Sequence, residues 1–132
     1  MTNITQASDE LQTLAERLRI FAKERNWEQF HSPKNLVMAL AGEAGELLEQ
    51  FQWLTESESS LSEASAEKRQ AVAHELADVF LYLVRISDRL DIDLLQAANE
   101  KILVNQQKYP IDACYGSHAK YSDLAKEAKL SK

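Results

Sequence analysis

Apolar residues recur along this chain at steps of three and four, the spacing of one face of an α-helix. Leu11, Leu14, Leu18 and Phe21 mark a first helix over about 6–25. After Asn26-Trp27-Glu28-Gln29-Phe30-His31 comes Ser32-Pro33, a capping side chain followed by a ring suited to the first helical position. The second predicted helix, about 33–54, packs through Leu36, Val37, Leu40, Leu47, Leu48 and Phe51. Thr55 to Ser65 is rich in Ser and Glu and reads as the one substantial loop. A third helix, about 66–90, packs through Val72, Leu76, Val79, Phe80, Leu83, Val84 and Ile86. Asp93 caps a fourth, about 94–108, which ends before Pro110. From Ile111 the periodicity lapses, one domain is expected over about 1–124, and about 125–132 reads as a flexible tail that frays from Lys126. No run alternates convincingly as a strand does. The pattern predicts an all-α bundle of four to five helices.

Two breaks in that pattern carry chemistry. Leu40-Ala41-Gly42-Glu43-Ala44-Gly45-Glu46-Leu47-Leu48 and Val72-Ala73-His74-Glu75-Leu76-Ala77-Asp78-Val79-Phe80 each set two carboxylates three residues apart within an apolar run. That spacing puts both on one helix face. Drawn toward the core, they need compensation, because an unpaired buried charge is costly. A hard divalent cation with oxygen ligands supplies it. The spacing alone is weak, since 21 acidic residues among 132 yield roughly three such pairs by chance. Glu46/Glu49 and Asp88/Asp91 are the other two; Glu49 is a spare ligand or an edge residue, and Asp88/Asp91 reads as a solvated helix end. Gly42 and Gly45, each costing about 1 kcal/mol against Ala in a helix, lie with Ala39, Ala41 and Ala44. Together they leave a bare surface for a close-packed helix or ligand.

Composition narrows the field. A chain of 132 residues, 45% hydrophobic, is one domain with enough apolar residues for a core. A net charge of −6 argues against wrapping a nucleic-acid polymer. One cysteine, Cys114, excludes an intramolecular disulfide and reads as an inert loop residue in a reducing compartment. No apolar run approaches a membrane span, and Met1-Thr2-Asn3-Ile4 lacks signal-peptide character, so a cytoplasmic location is expected.

The polar stripes continue beyond the acids. Glu43, Glu46, Gln50 and Trp53 follow one another on the second helix, Glu75, Asp78, Tyr82 and Arg85 on the third, and Lys101, Asn105 and Lys108 on the fourth. One reading is a cleft with a metal floor, lysines for phosphate oxygens, and Trp27 and Trp53 stacking on a flat ring. The plainer reading is core tryptophans and solvent-facing lysines. His31 beside Pro33 suits either a ligand contact or a backbone bond, and His74 and His118 have no convincing partner.

These motifs resemble the MazG-like, all-α nucleoside triphosphate pyrophosphohydrolases, and most closely their dCTP pyrophosphatase branch. The family pattern of ExxE, a spacer and ExxD stands here as Glu43-Ala-Gly-Glu46 and Glu75-Leu-Ala-Asp78. Glu24-Arg25-Asn26-Trp27-Glu28-Gln29-Phe30-His31, Phe51-Gln52-Trp53, Tyr82-Leu83, Asn105 with Tyr109-Pro110, and Lys120-Tyr121 extend the likeness over about 15–124. The resemblance implies that Glu43, Glu46, Glu75 and Asp78 hold Mg²⁺, with Mn²⁺ as the alternative. It implies that Trp27, Glu28, Gln29, Phe30, His31 and Trp53 line a base and sugar pocket. Tyr82 then packs by the deoxyribose or phosphates, and Lys101, Asn105 and Lys108 form a phosphate-side helix. It also implies homotetramers built as dimers of dimers. Some animal relatives carry a pocket histidine where this chain has Leu18, which leaves the pyrimidine preference open.

The reaction so implied is hydrolysis of a deoxynucleoside triphosphate, dCTP or a modified dCTP, to monophosphate and pyrophosphate. Metal ions neutralise the triphosphate, and Glu46 is the expected general base toward water. No Ser/His or Cys/His grouping offers a covalent nucleophile. Two other classes fit less well. A non-catalytic helical interaction module leaves the two glycines beside the acids unexplained, and a di-iron bundle needs Glu-x-x-His pairs where this chain has ExxE and ExxD.

Overall fold

The computed structural model describes residues 4–130, with side chains described for 6–124 and 126. Met1-Thr2-Asn3 and the last residues of the expected tail, Ser131-Lys132, lie outside the described residues. Six α-helices run in order α1 (Ile4–Glu24), α2 (Pro33–Glu49), α3 (Ala66–Arg89), α4 (Leu94–Lys108), α5 (Ile111–Cys114) and α6 (Tyr121–Leu130), with short 3-10 helices at Glu28–Phe30 and Glu58–Ser60. No strand occurs among the described residues, as the sequence pattern predicts. Nor is any described helix long and apolar enough to cross a membrane. Two differences stand out. The second helix ends at Glu49, with residues 50–53 in turns, and α5 and α6 form where the periodicity was too weak to read.

Local chemistry explains the boundaries. Ser32 Oγ accepts the Asn35 backbone N–H at 3.2 Å, with Pro33 at the first helical position of α2. Ser65 Oγ accepts the Lys68 N–H at 3.1 Å and starts α3 in the same way. Asn26 takes a left-handed φ of 54°, its N–H bonding Lys23 O at 3.0 Å and the Trp27 N–H bonding Ala22 O at 2.9 Å. This paired closure of a helix end tolerates Asn where most side chains are strained. It also folds Trp27 back onto Phe21 in an edge-to-face contact, 5.8 Å between centroids.

The chain divides into two compact units, Met1–Asp93 and Leu94–Lys132. In the first, α2 and α3 run antiparallel. Lys68 Nζ donates to Gln50 O at 2.6 Å and to Gln50 Oε1 at 2.9 Å, tying the end of α2 to the start of α3. At the opposite end Arg85 Nε reaches His31 Nδ1 at 3.4 Å. Helix α1 joins α3 through Arg19, whose guanidinium makes three contacts of 2.7–2.9 Å to the Asp88 carboxylate. Asp88, expected as a solvated helix end, is instead largely covered and holds Arg85 as well, at 3.1 Å. In the second unit, Tyr109 and Tyr121 meet edge to face at 6.3 Å.

The buried apolar core is small: Ala15, Ala22, Leu36, Val72 and Val84. Several residues expected inside are not covered by this chain. Val37, Leu48, Leu76 and Phe80 remain 45–64% exposed, and Leu83 is exposed too. The apolar stripes on α2 and α3 are wider than the surface the chain can bury by itself. A Cβ built at Gly42 or Gly45 meets no heavy atom within 4 Å, so no helix of the described residues uses the close approach these glycines allow.

Leu36, at 2% exposure, is the largest packing commitment of α2. Leu36→Ala should cost about 2–5 kcal/mol, and Ser32→Ala, which removes only the cap, about 1 kcal/mol. Urea denaturation with an unchanged m-value checks both. Equal costs would show that the cap, not the core, anchors this helix.

Candidate metal centre and ring cavity

The antiparallel pairing of α2 and α3 brings Glu43 opposite Glu75 and Asp78. One carboxylate oxygen from each lies within 4.8 Å of the other two. Glu43 and Glu75 are partly covered, and Glu75 Oε2 is a buried oxygen with no hydrogen-bond partner. Natural interiors rarely leave such an atom unpaired without a functional reason. Burial, followed by the charges of Glu46, Asp78 and Glu75, pushes the Glu43 carboxyl above the ordinary carboxylate range. Three carboxylates, one with an orphaned oxygen, form a donor set suited to a hard cation. This is a candidate metal centre. Glu46 is exposed and stands outside the trio, yet its charge is the leading electrostatic influence on Glu43.

A cavity of about 110 Å³ adjoins it in the same unit, lined on its apolar side by Leu18, Phe21, Trp27, Leu36 and Leu81. His31, Tyr82 and Arg85 are its polar lining. Leu18, Phe21 and Leu81 also border a larger groove of about 680 Å³ that reaches Asp78. Groove and cavity therefore share a wall, and of the acidic trio Asp78 borders the groove. Tyr82 links them: burial, then the Glu43 and Asp78 charges, raise its phenol above the usual range. His31 lies edge to face with Trp27 at 6.3 Å. Desolvation, then the cations of Arg85 and Arg89, lower the His31 imidazole below its ordinary value.

The other expected site residues fall elsewhere. Glu28, Gln29 and Phe30 form the 3-10 helix before α2 and are exposed; Gln29 Nε2 bonds Asn26 O at 2.9 Å, and Phe30 O accepts from Asn35 Nδ2 at 3.1 Å. They shape the turn that carries Trp27 and His31 rather than line the cavity. Trp53 sits on the turn after α2, 88% exposed and outside the cavity lining. Lys101, Asn105 and Lys108 are exposed along α4 in the second unit. A separate cavity of about 400 Å³ under the 54–68 loop contains none of the expected site residues. Sequence reasoning missed the run Arg19–Asp88–Arg85–His31. His31 and Arg85 each carried a local signal, His31 in the 24–31 motif and Arg85 one turn past Tyr82 on the stripe from Glu75, but nothing in the sequence joined them.

Residues 39–124, which hold both acidic pairs, match the MazG-like family. The chain belongs to the MazG-like family. It is 47% identical over 104 residues to dCTP pyrophosphatase 1 of Mus musculus, covering 79% of this chain and 61% of that protein. The Homo sapiens dCTP pyrophosphatase 1 is 45% identical over the same shares. The chain thus spans about three fifths, 61%, of the length of these curated relatives. Among solved structures, a pyrophosphatase from Archaeoglobus fulgidus superposes with a TM-score of 0.70 at 36% identity, covering 76% of this chain and 93% of that one. The helical core is therefore shared in sequence with these relatives and in shape with that structure.

The raised Glu43 carboxyl has a definite sign. An acid whose pKa rises on folding contributes stability that is complete below its unfolded value and drains away as pH climbs through the folded value. Without a cation, Glu43→Gln should therefore melt above the wild type at neutral pH, the gap closing below about pH 4. A divalent cation at a hundredfold excess over its Kd should add about 2.7 kcal/mol to the wild type and less to the variant. Differential scanning fluorimetry across pH, with and without cation, checks this; identical melting of the two proteins throughout would remove the metal centre.

Proposed function

We propose that this MazG-like chain is a Mg²⁺-dependent nucleoside triphosphate pyrophosphohydrolase acting in the cytoplasm on dCTP or a modified dCTP. The observation that carries this is the acidic trio beside a ring-sized cavity, with Tyr82 facing both. The names of the 45–47% identical relatives, dCTP pyrophosphatase 1, support the choice of substrate. Bound at Glu43, Glu75 and Asp78, with Glu46 beside them, Mg²⁺ (or Mn²⁺) supplies charge neutralisation and Lewis acidity toward the triphosphate.

The chain's own residues do the rest. The cavity formed by Leu18, Phe21, Trp27, His31 and Leu36 receives the base and excludes water. Tyr82 packs against the sugar. The Glu46 carboxylate, exposed and close to Glu43, takes the proton from the water that attacks in line between the α- and β-phosphates. The products are a nucleoside monophosphate and pyrophosphate. By resemblance to the family, Lys101, Asn105 and Lys108 are assigned to phosphate oxygens, and Trp53 and the face of the 28–30 turn complete the nucleotide's surroundings. Trp53 does so in a homo-oligomer, a dimer of dimers. The exposed apolar side chains of Val37, Met38, Leu48, Leu76 and Phe80 support such assembly, since a lone soluble chain rarely leaves so much apolar surface uncovered.

Pyrophosphate release from each dNTP, with and without Mg²⁺, tests the assignment. Glu46→Gln should lower kcat about 10²–10⁴-fold and Asp78→Ala should abolish turnover, both with the fold intact by circular dichroism. Wild-type turnover in both variants would refute the assignment.

Sugar choice gives a second measurement. A closely packed Tyr82 ring leaves a 2′-hydroxyl desolvated and unpaired, a cost of ~1–3 kcal/mol. dCTP should then exceed CTP in kcat/KM by about tenfold or more, as 1.4 kcal/mol is a factor of ten. Tyr82→Ala should narrow the ratio mainly by improving CTP. Equal kcat/KM for the two nucleotides in the wild type would remove the steric role.

A further inference from the structure

Arg85 is the one buried charged residue among the described residues, 5% exposed, and it lines the ring cavity. Its guanidinium is used unevenly. Nη1 donates to Asp88 Oδ2 at 3.1 Å, Nε donates to His31 Nδ1 at 3.4 Å, and Nη2 is buried with no partner. Asp88 is held in turn by Arg19 from α1, so the guanidinium is oriented from two helices.

The contact with His31 has a consequence for the imidazole. Arginine is only ever a donor, so His31 Nδ1 has to accept. The ring proton then sits on Nε2, because each ring nitrogen's role is set by the bond the other one makes. Nε2 has no hydrogen-bond partner among the described residues, while the ring lines the cavity. The wall of the cavity contributed by His31 is therefore a hydrogen-bond donor. Leu18, Phe21, Leu36 and Leu81 offer no polar atom, and Trp27 can only donate. Tyr82 is the remaining group able to accept.

We propose that Arg85 is a positioning residue for base recognition: it holds His31 as the Nε2–H tautomer, so that the cavity offers a donor to the acceptor edge of a single heterocyclic ring. The acceptor is a ring carbonyl oxygen or an unprotonated ring nitrogen, both present on cytosine. The size agrees, since 110 Å³ is well below the 300–1,000 Å³ of a site enclosing a whole drug-sized ligand and suits one ring of it. The lowered His31 basicity is consistent with this arrangement, since a cation beside Nδ1 opposes a second ring proton. Nη2 is a buried donor without a partner, a costly arrangement that packing alone does not explain.

The identity of the bound ring rests on the pyrophosphohydrolase reading; the tautomer does not. Nitrogen-15 spectra of the histidine side chains in the full chain read the tautomer directly. His31 should be Nε2–H in the wild type, should remain so in Arg85→Lys, and should lose that form in Arg85→Met. In the pyrophosphate-release assay, Arg85→Met should raise KM for dCTP about tenfold, the loss of one buried hydrogen bond, with kcat nearly unchanged. Arg85→Lys should recover most of that loss. A merely structural role would lower stability and leave the KM-to-kcat split and the tautomer as they are. An Nδ1–H tautomer in the wild type overturns the proposal, as does an Arg85→Met protein that keeps both the wild-type tautomer and the wild-type KM. Should Arg85→Met not fold, Asp88→Asn, which frees the guanidinium without emptying its space, should loosen the tautomer in the same direction, and no change there refutes the proposal. Absence of pyrophosphate release from any nucleotide in a wild type with the Nε2–H signature would instead sink the pyrophosphohydrolase reading and leave the Arg85–His31 pairing standing.

Discussion

The mutual repulsion of Glu43, Glu75 and Asp78 is the interaction around which the first unit is arranged. With oxygens within 4.8 Å, like charges oppose one another, and the Glu43 carboxyl, raised by burial and then by its acidic neighbours, registers that opposition. That force acts across the α2–α3 interface and tends to part it. The packing that resists is placed away from the acids. Leu36 and Val84 are buried toward one end of the pair and Val72 toward the other. Lys68 clasps Gln50 at one end, and Arg85 meets His31 at the other. The acidic trio lies between the two clasps. A cation bound there reverses the sign of the central interaction, so the same geometry that costs stability empty returns it when filled.

The ring cavity has a different origin, in the way α1 ends. A left-handed Asn26 closes the helix and sends Trp27 back against Phe21. The 3-10 turn then delivers His31 to the N-terminal side of α2. Aromatic walls and a single polar end follow from one helix stop and one cap, Ser32. The Arg19–Asp88 pair fastens α1 to the same turn of α3 that carries Arg85. The contacts that line the cavity are the same ones that hold the fold, so its polar groups are ordered in the single chain.

Much of this was legible in the sequence, and the part that was not has a physical reason. Helix positions followed from periodicity and from caps such as Ser32, while ExxE and ExxD pointed to four carboxylates, of which Glu43, Glu75 and Asp78 come together and Glu46 stands outside. Burial did not follow. An apolar stripe identifies a face but not what covers it, so Leu48 and Phe80 were expected inside and are exposed in the single chain. Asp88 was misjudged because its partner Arg19 lies 69 residues away, beyond any local spacing rule. Arg85 stood in plain view on the polar stripe of α3, yet a charged residue on a helix face ordinarily means solvent. Only the approach of α1 and the 28–31 turn makes it interior. The weak periodicity after Ile111 concealed α5 and α6, short helices whose apolar residues are too few to declare a face.

Helix α3 acts as a ruler for the whole site. Glu75, Asp78, Tyr82 and Arg85 follow at steps of three, four and three, so they share a face and span ten residues, about 15 Å at 1.5 Å per residue. The proposed substrate has its own fixed order of phosphate, sugar and base. Acids that suit a cation and phosphates come first along the helix, an aromatic ring that suits a sugar lies a turn later, and a donor-bearing end that suits a base lies a further turn on. No loop has to move to set those distances, since a helix holds its rise more rigidly than any loop holds its shape. Changes of base preference are then expected at the Arg85 end, where His31 and Leu18 meet it, and changes of sugar preference at Tyr82. Neither requires any alteration at Glu75 or Asp78, because separate turns of one helix allow each recognition to vary while the chemistry stays where it is.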